Sequence, residues 1–313
     1  MPSFTHKSDQ LSVSVIIRCL NEQDHIGNLL QAIKEQTNRP EEIIVVDSGS
    51  TDQTLDIIRA FGVVAAHISP NDFTFGRSLN RGCAIAKGDI LVIASAHVLP
   101  VDKFWLSEVV APFIHPRTAL VYGRQIGNHL TTFSEHQVFA QQFPEESNFI
   151  QKTPFCNNAN AAIRRSVWLS RPYDEALTGL EDLDMGNWVL QNGYHLAYNA
   201  NAAVIHIHDE TPAKIFNRYK REAIALKRIL PDSHLTFPEF IWLWLSNIVM
   251  DLLRALKQIK FVSSVREIVV FRTMQYFGMY RGIHDRSVMT HEMIMRFYYP
   301  RMPARFKRMK KNG

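Results

Sequence analysis

Four short β-branched runs, each ending abruptly in polar residues, constrain this chain more than any other feature. They are Val13-Ser-Val-Ile-Ile17, Glu42-Ile-Ile-Val-Val-Asp47, Val63 to Ile68 and Ile90-Leu-Val-Ile-Ala94. Short apolar runs bounded by polar turns read as strands buried on both faces of a parallel sheet. After the first run, Ile26, Leu29, Leu30 and Ile33 fall at i, i+3, i+4 and i+7, the stripe of an amphipathic helix, and Asn38-Arg39-Pro40 breaks it. After the second, Ser50 and Gln53 have capping-box spacing ahead of a helix carrying Leu55, Ile57 and Ile58. Strand and helix in alternation predict an α/β fold with a mostly parallel sheet, right-handed crossovers and helices on its faces.

The fourth run opens at Gly88-Asp89 and continues as Ser95-Ala-His-Val-Leu-Pro100. Side chains two apart on extended backbone point the same way, so Ser95 and His97 share one site. That site lies at the carboxyl edge of the sheet, where open α/β folds bind ligands. Phe73 to Asn80 leads into a small-residue helix over Arg81 to Lys87. Later patterns predict a helix from Phe104 to Phe113 ended by Pro116, a strand over Ala119 to Gly123, and loops through 124–155. Phe155 to Ile163 approaches a strand, Leu180 to Leu190 starts acidic and continues as a helix, and Tyr194 to Tyr198 and Ala203 to Ile207 read as two short strands.

After Glu210 the character changes. Residues 212–230 set Ile215, Phe216, Tyr219 and Leu226 against Lys214, Arg218, Lys220, Arg221 and Arg228, a basic amphipathic helix, and 237–259 carries Trp242 and Trp244 in apolar surroundings. The boundary falls between 208 and 235, dividing the chain into a domain over 1–210 and a helical, basic extension over 211–313. A hydrophobic share of 46% in 313 residues is enough for a full core, which removes disorder as a reading. The net charge of +5 owes much to Arg301, Arg305, Lys307, Arg308, Lys310 and Lys311. Basic residues gathered at one terminus, with no aromatic platform among them, do not indicate nucleic-acid binding. Three cysteines, Cys19, Cys83 and Cys156, lack metal-ligand spacing and suit a reducing compartment, so the expected address is cytoplasmic. Met1 to Leu11 has no signal-peptide core, and no run reaches the roughly 18 apolar residues of a membrane span.

Together the motifs resemble the inverting nucleotide-sugar glycosyltransferases of family 2, which have the GT-A fold. The residues carrying the likeness are Val13-Ser-Val-Ile-Ile with Asn21-Glu22, Val45-Val-Asp-Ser-Gly-Ser-Thr-Asp52, Arg77-Ser-Leu-Asn-Arg-Gly82, Ala86-Lys-Gly-Asp89, Gly179-Leu-Glu-Asp182 and His206. They span roughly the first two thirds of the chain in the family's order. Within the family the likeness is nearest to bacterial rhamnosyltransferase-like enzymes of capsule and surface-polysaccharide assembly. The resemblance implies transfer of a hexosyl or deoxyhexosyl group from a UDP-, dTDP- or GDP-linked donor to a hydroxyl of a glycan or lipid-linked glycan. It implies donor contacts at Glu22, Asp47, Asp52, Arg77, Ser95 and His97. It makes Asp182, beside Glu181, the general base that takes the acceptor hydroxyl's proton as its oxygen attacks the anomeric carbon. Asp52 and Arg77 also read as helix-start residues, and Glu181, Asp182 and Asp184 as acids favouring a helix N-terminus.

The departure from the family is at Ser95-Ala-His97, where D-x-D is usual and the last Asp binds a divalent ion on the donor diphosphate. His97 can be a ligand for Mn²⁺ or Mg²⁺, imidazole suiting the former better, with His206 or His208 as a second ligand. Alternatively it contacts the diphosphate directly, without metal. Asn158 and Asn160, with Asn157, are candidate acceptor contacts or turn formers. The 212–230 helix, the tryptophans and the basic tail fit a membrane surface at the cytoplasmic face, or equally a packed extension or homo-oligomer contact. Two other classes remain open. A nucleotidyltransferase would need a basic triphosphate motif near the first strand, where only Arg18 stands; an inactive nucleotide-sugar or glycan-binding module leaves Glu181-Asp182 unexplained.

Overall fold

The computed structural model describes residues 11–207 and 210–286. The first half alternates as expected: β1 (Val13–Cys19), α1 (Ile26–Lys34), β2 (Glu42–Asp47), α2 (Thr54–Phe61), β3 (Val64–His67), α3 (Phe75–Ile85) and β4 (Ile90–Ser95). There follow β5 (Val98–Pro100), α4 (Trp105–Val110) with a 3₁₀ turn at Ala111–Ile114, β6 (Thr118–Ile126), α5 (Phe133–Gln142), β7 (Asn160–Arg164) and α6 (Arg165–Ser170). Then come α7 (Glu181–Gln191), β8 (His195–His206), α8 (Pro212–Ile229), α9 (Phe237–Lys257) and α10 (Phe261–Ile283).

The strands form one eight-stranded sheet in the order β3-β2-β1-β4-β7-β6-β8-β5. β3, β2, β1 and β4 run parallel; β7 is antiparallel to both β4 and β6, β8 runs parallel to β6, and β5 closes the far edge antiparallel to β8. The β1, β2 and β4 runs are buried because both faces of the sheet are covered there, whereas β3 is an edge strand with Val64, Ala65 and His67 exposed, not buried on both faces as expected. Ile16, Leu91 and Ile93 enter one core with Leu79 and Cys83 of α3, whereas Val15, Ile17, Val92 and Ala94 enter the other with Ile26, Leu29, Leu30 and Ile33 of α1. The expected stripe of α1 is thus the buried one.

Several local expectations are corrected. The α3 helix begins at Phe75, before the expected Arg81, because Thr74 caps it by accepting from the Arg77 amide. Its buried face is made of Gly76, Ser78, Leu79, Gly82 and Cys83, too small and polar to register as an apolar stripe. At Gly82 a Cβ would come within 2.5 Å of Ile16, so glycine is what lets the helix lie on the sheet. The Ser50/Gln53 capping box is not made; Ser50 instead accepts from the Asn21 amide, and Asp52 accepts from Thr54. Residues 124–155 contain α5, capped by Thr132, and the two short strands expected near 200 are one strand, β8. The Phe104–Phe113 helix is shorter, closing through the 3₁₀ turn.

The terminal helices pack on one another and on α5. The α8 and α10 helices approach closely at Gly278 and Gly282, where a Cβ would meet the Phe216 carbonyl and the Ala223 side chain at 2.6 Å. The apolar flank of the basic 212–230 stretch is therefore spent on internal packing, as in the packed-extension alternative. Asp251 of α9 is almost fully buried, accepting from Ser134 of α5 at 2.7 Å and from Arg272 of α10 at 2.8 Å. This carboxylate ties three helices together. Removing one member of a buried pair strands the other's charge. Asp251→Ala is expected to lose about 3–5 kcal/mol of stability in urea unfolding, whereas Arg254→Ala, at the half-exposed rim of the same carboxylate, is expected to lose less than about 1 kcal/mol.

Candidate active site

The polar ends of β1 and β4 lie side by side, with Arg18 the register partner of Ser95. His97 sits two residues beyond, its Nε2 3.1 Å from Ser95 Oγ and its Nδ1 2.7 Å from Glu22 Oε1. Glu22 reaches this position because the segment after β1 is zipped to the loop after β2. Asn21, at φ 54°, accepts from the Thr51 amide, the Glu22 amide donates to Thr54, and the Gln23 amide donates to Asp52. Left-handed backbone is tolerated by asparagine better than by most residues. Both imidazole nitrogens of His97 thus face side-chain oxygens. The pairing of β5 with β8 then sets His97 and His206 face to face, centroids 5.1 Å apart and planes 12° from parallel. His206 Nδ1 lies 2.6 Å from Gln125 Oε1.

The second half of the site is the start of α7. Leu180, at φ 58°, turns the chain so that Glu181 and Asp182 enter the helix directly. Arg18 bridges to Glu181 at 3.3 Å and stacks over the Phe75 ring, whose centroid also lies 4.7 Å from the Arg221 guanidinium of α8. Asp182, half-buried, accepts from the Asn158 amide at 3.0 Å and from that of Leu183 at 2.8 Å. Burial first, then the Glu181 charge, push its carboxyl up to about 7, against the pull of those two amides and of Arg18. Asn158 is 1% exposed, and among the described residues neither atom of its side-chain amide has a hydrogen-bond partner. An unsatisfied buried amide is costly, and this one belongs to the residue whose backbone amide holds Asp182. The Ser95 amide donates to the Ala159 carbonyl, which fastens this loop to the end of β4.

Other expected residues lie elsewhere or are already engaged. Asp47 ends β2 as predicted, but it is 1% exposed and its oxygens accept from the Gly49 and Ser50 amides, so it holds the loop and presents no open face to a donor. Burial alone would raise the Asp52 carboxyl, but hydrogen bonds from Thr54 and Gln23 outweigh it and leave it below the ordinary value; Asp52 is a brace between two loops. Arg77 is paired with Glu175 at 2.7 Å and donates to the Asp72 carbonyl. Asn160 is a correction: fully buried, it accepts from Trp105 Nε1 and donates to the Ala202 and Arg124 carbonyls, which braces the sheet and leaves nothing for an acceptor. Arg18, Phe75 and Arg221 were not anticipated in the site. They come from three separated segments and share no spacing in the sequence.

His97 and His206 do not form a chelating pair in this geometry. Imidazole lone pairs lie in the ring plane, and two nearly parallel planes offset from one another cannot direct them at one ion. His97 also has both nitrogens engaged, and among the described residues no three His, Cys, Asp or Glu side chains converge to hold a metal. His208, the alternative ligand, lies outside the described residues.

Comparison with known proteins converges on one family. The family model described as glycosyl transferase family 2 matches residues 14–169. An O-antigen chain rhamnosyltransferase of Salmonella typhimurium, RfbN, is 32% identical over 231 residues, 67% of this chain and 70% of that relative. The chain belongs to glycosyl transferase family 2. A second family member, the O-antigen chain rhamnosyltransferase WbaN of Salmonella anatum, is 33% identical over 205 residues, covering 60% of this chain and just under two thirds, 63%, of WbaN. Among solved structures, a Pyrobaculum calidifontis mannosyltransferase in complex with GDP-Man and Mn²⁺ matches with a TM-score of 0.63 at 17% identity, covering 89% of this chain and 88% of that one. Glucosyl-3-phosphoglycerate synthase from Mycobacterium tuberculosis, in complex with Mn²⁺, uridine diphosphate and glucosyl-3-phosphoglycerate, matches with a TM-score of 0.53 at 22% identity over 72% of this chain and 82% of that one. The expected GT-A fold is thereby established for this family 2 chain.

A carboxyl raised in the folded state favours the protonated protein, so its contribution to stability is complete at low pH and is lost as pH rises through about 7. Urea midpoints of the wild type are expected to decline across that interval. Asp182→Asn should remove this part of the decline and be more stable than wild type by about 1–3 kcal/mol at pH 8. Parallel pH profiles of the two proteins would overturn the assignment.

Proposed function

We propose that the protein moves a sugar, with inversion, from a nucleotide-sugar donor to a hydroxyl of a glycan or lipid-linked glycan in bacterial surface-polysaccharide assembly. The observation that carries this reading is Asp182: a half-buried carboxyl raised to about 7, beside the unsatisfied Asn158 amide and one residue from the carboxylate that Arg18 holds. The two O-antigen rhamnosyltransferases support the setting and the deoxyhexosyl class.

In this mechanism the acceptor presents its hydroxyl to Asp182, which the backbone amides of Asn158 and Leu183 hold in place. As that oxygen attacks the anomeric carbon, its proton passes to the Asp182 carboxylate, the bond to the departing nucleoside diphosphate breaks on the opposite face, and no covalent enzyme intermediate forms. Charge developing on the leaving diphosphate is met at the β1–β4 edge by Arg18 and by the His97 ring, which Glu22 and Ser95 hold in place. Solved neighbours of the same fold contain Mn²⁺. The donor set around His97 does not fit that role, so no step is routed through a metal. A lipid-linked acceptor would put the reaction at the inner face of the cytoplasmic membrane.

Asp182→Asn is expected to lower kcat by about 10²–10⁴-fold while donor binding, read by calorimetry, stays within about twofold. Glu181→Gln removes a charge that raises Asp182, so the acidic limb of kcat/KM should move below pH 7. An unchanged limb, or equal activity of Asp182→Asn and wild type, would overturn the base assignment. Donor turnover is expected to survive EDTA; loss that Mn²⁺ restores would return the diphosphate to a metal.

A further inference from the structure

The α9 helix is one-sided in an unusual sense. Its inward residues Phe240, Asp251 and Ala255 pack on the other terminal helices and α5, yet the opposite side is apolar as well. Trp242, Leu245, Val249, Leu253 and Leu256 recur at steps of three and four, and Trp242 is 68% exposed. From Trp242 to Leu256 the stripe runs about 21 Å along the helix, and it leads to Ile259 just past the helix end. Contiguous exposed apolar surface on this scale marks an interaction face.

The stripe runs into a corner whose backbone is specialised. Ile259 stands at φ 57° in the residue position that follows the cap of α9, its amide donating to the Leu256 carbonyl and that of Lys260 to Ala255. Glycine is the usual occupant of this left-handed position, and a β-branched residue there is strained. Folding alone would favour glycine. The isoleucine is instead 96% exposed, and Val262, three residues on, is 90% exposed. Two apolar side chains thus project from the tip of a helical hairpin, and one of them does so at the expense of backbone strain.

Charge decides what such a tip meets. Arg254, Lys257, Lys260 and Arg266 are exposed around it. The acids of the same stretch are engaged inward: Asp251 is buried against Arg272, and Glu267 accepts from the Phe133 amide. A second copy of the chain related by a two-fold axis at this corner would set these cations against their own kind. An anionic lipid surface supplies negative headgroups for the cations and an acyl boundary for the apolar residues.

We infer that the α9–α10 corner, with Ile259 and Val262 at its tip, docks the protein on an anionic lipid bilayer. The placement of the reaction at a membrane gives this surface its setting, but its readout is lipid binding and is independent of sugar transfer. The test is flotation of the full chain with vesicles of phosphatidylcholine plus phosphatidylglycerol, and with phosphatidylcholine alone. Wild type should float with the anionic vesicles only, and salt should weaken the binding. Ile259→Gly with Val262→Ser removes both tip side chains while suiting the backbone at 259, so it should melt no lower than wild type and bind at least about tenfold more weakly. Lys257→Glu with Lys260→Glu should weaken binding by about fivefold for each charge lost. Turnover of a soluble donor should be unchanged in both variants. The inference fails if wild type stays at the bottom of the gradient, or if the tip variant floats as wild type does. It also fails if the tip variant turns a dimer into a monomer on size exclusion without altering flotation, which would assign the corner to a second copy.

Discussion

Strand β4 is the constraint on which the molecule depends. It is buried along nearly its whole length, parallel to β1 on one side and antiparallel to β7 on the other, and so joins the nucleotide-fold half of the sheet to the mixed half. Because the pairing is in register, its last residue, Ser95, is fixed beside Arg18, and its amide catches the Ala159 carbonyl of the loop that carries Asn158. A one-residue slip would reverse every side chain on the strand and separate these groups. The chemistry at the strand ends is therefore a property of sheet register before it is a property of any side chain.

Much of the first half was legible because period and polarity agree there. The α1 stripe and the β1, β2 and β4 runs each declare one structure, and the cores they form are those their spacing implies. Legibility failed where burial is achieved with small or polar residues. The α3 helix buries glycines, a serine and a cysteine, and α5 buries Ser134 and Glu135, so neither shows an apolar period. The roles of site carboxylates were harder still. Asp47 and Asp52 stand at the anticipated strand and loop ends, but whether a carboxylate faces a ligand or its own turn amides depends on backbone geometry that no spacing reports. Asn158 and Asn160 illustrate the same point two residues apart: one amide is left unsatisfied beside Asp182, the other is consumed by the sheet.

His97 organises the polar groups along this edge. With Glu22 as its partner, the imidazole becomes part of a hydrogen-bonded row from Ser95 to Glu22, and stacking on His206 extends that row toward Gln125. Groups arranged to hold one another need little rearrangement when a charged ligand arrives, which is the form of preorganisation that electrostatic stabilisation requires.

The contacts of Arg18 and Arg221 with the Phe75 ring join the first strand, the third helix and α8 at one aromatic ring. During synthesis the strands emerge long before α8 does. Until that helix has docked, the ring lacks its contact with the Arg221 guanidinium. The site is thus complete only with α8 in place, which makes that helix a structural part of the candidate centre and not an accessory added to a finished one.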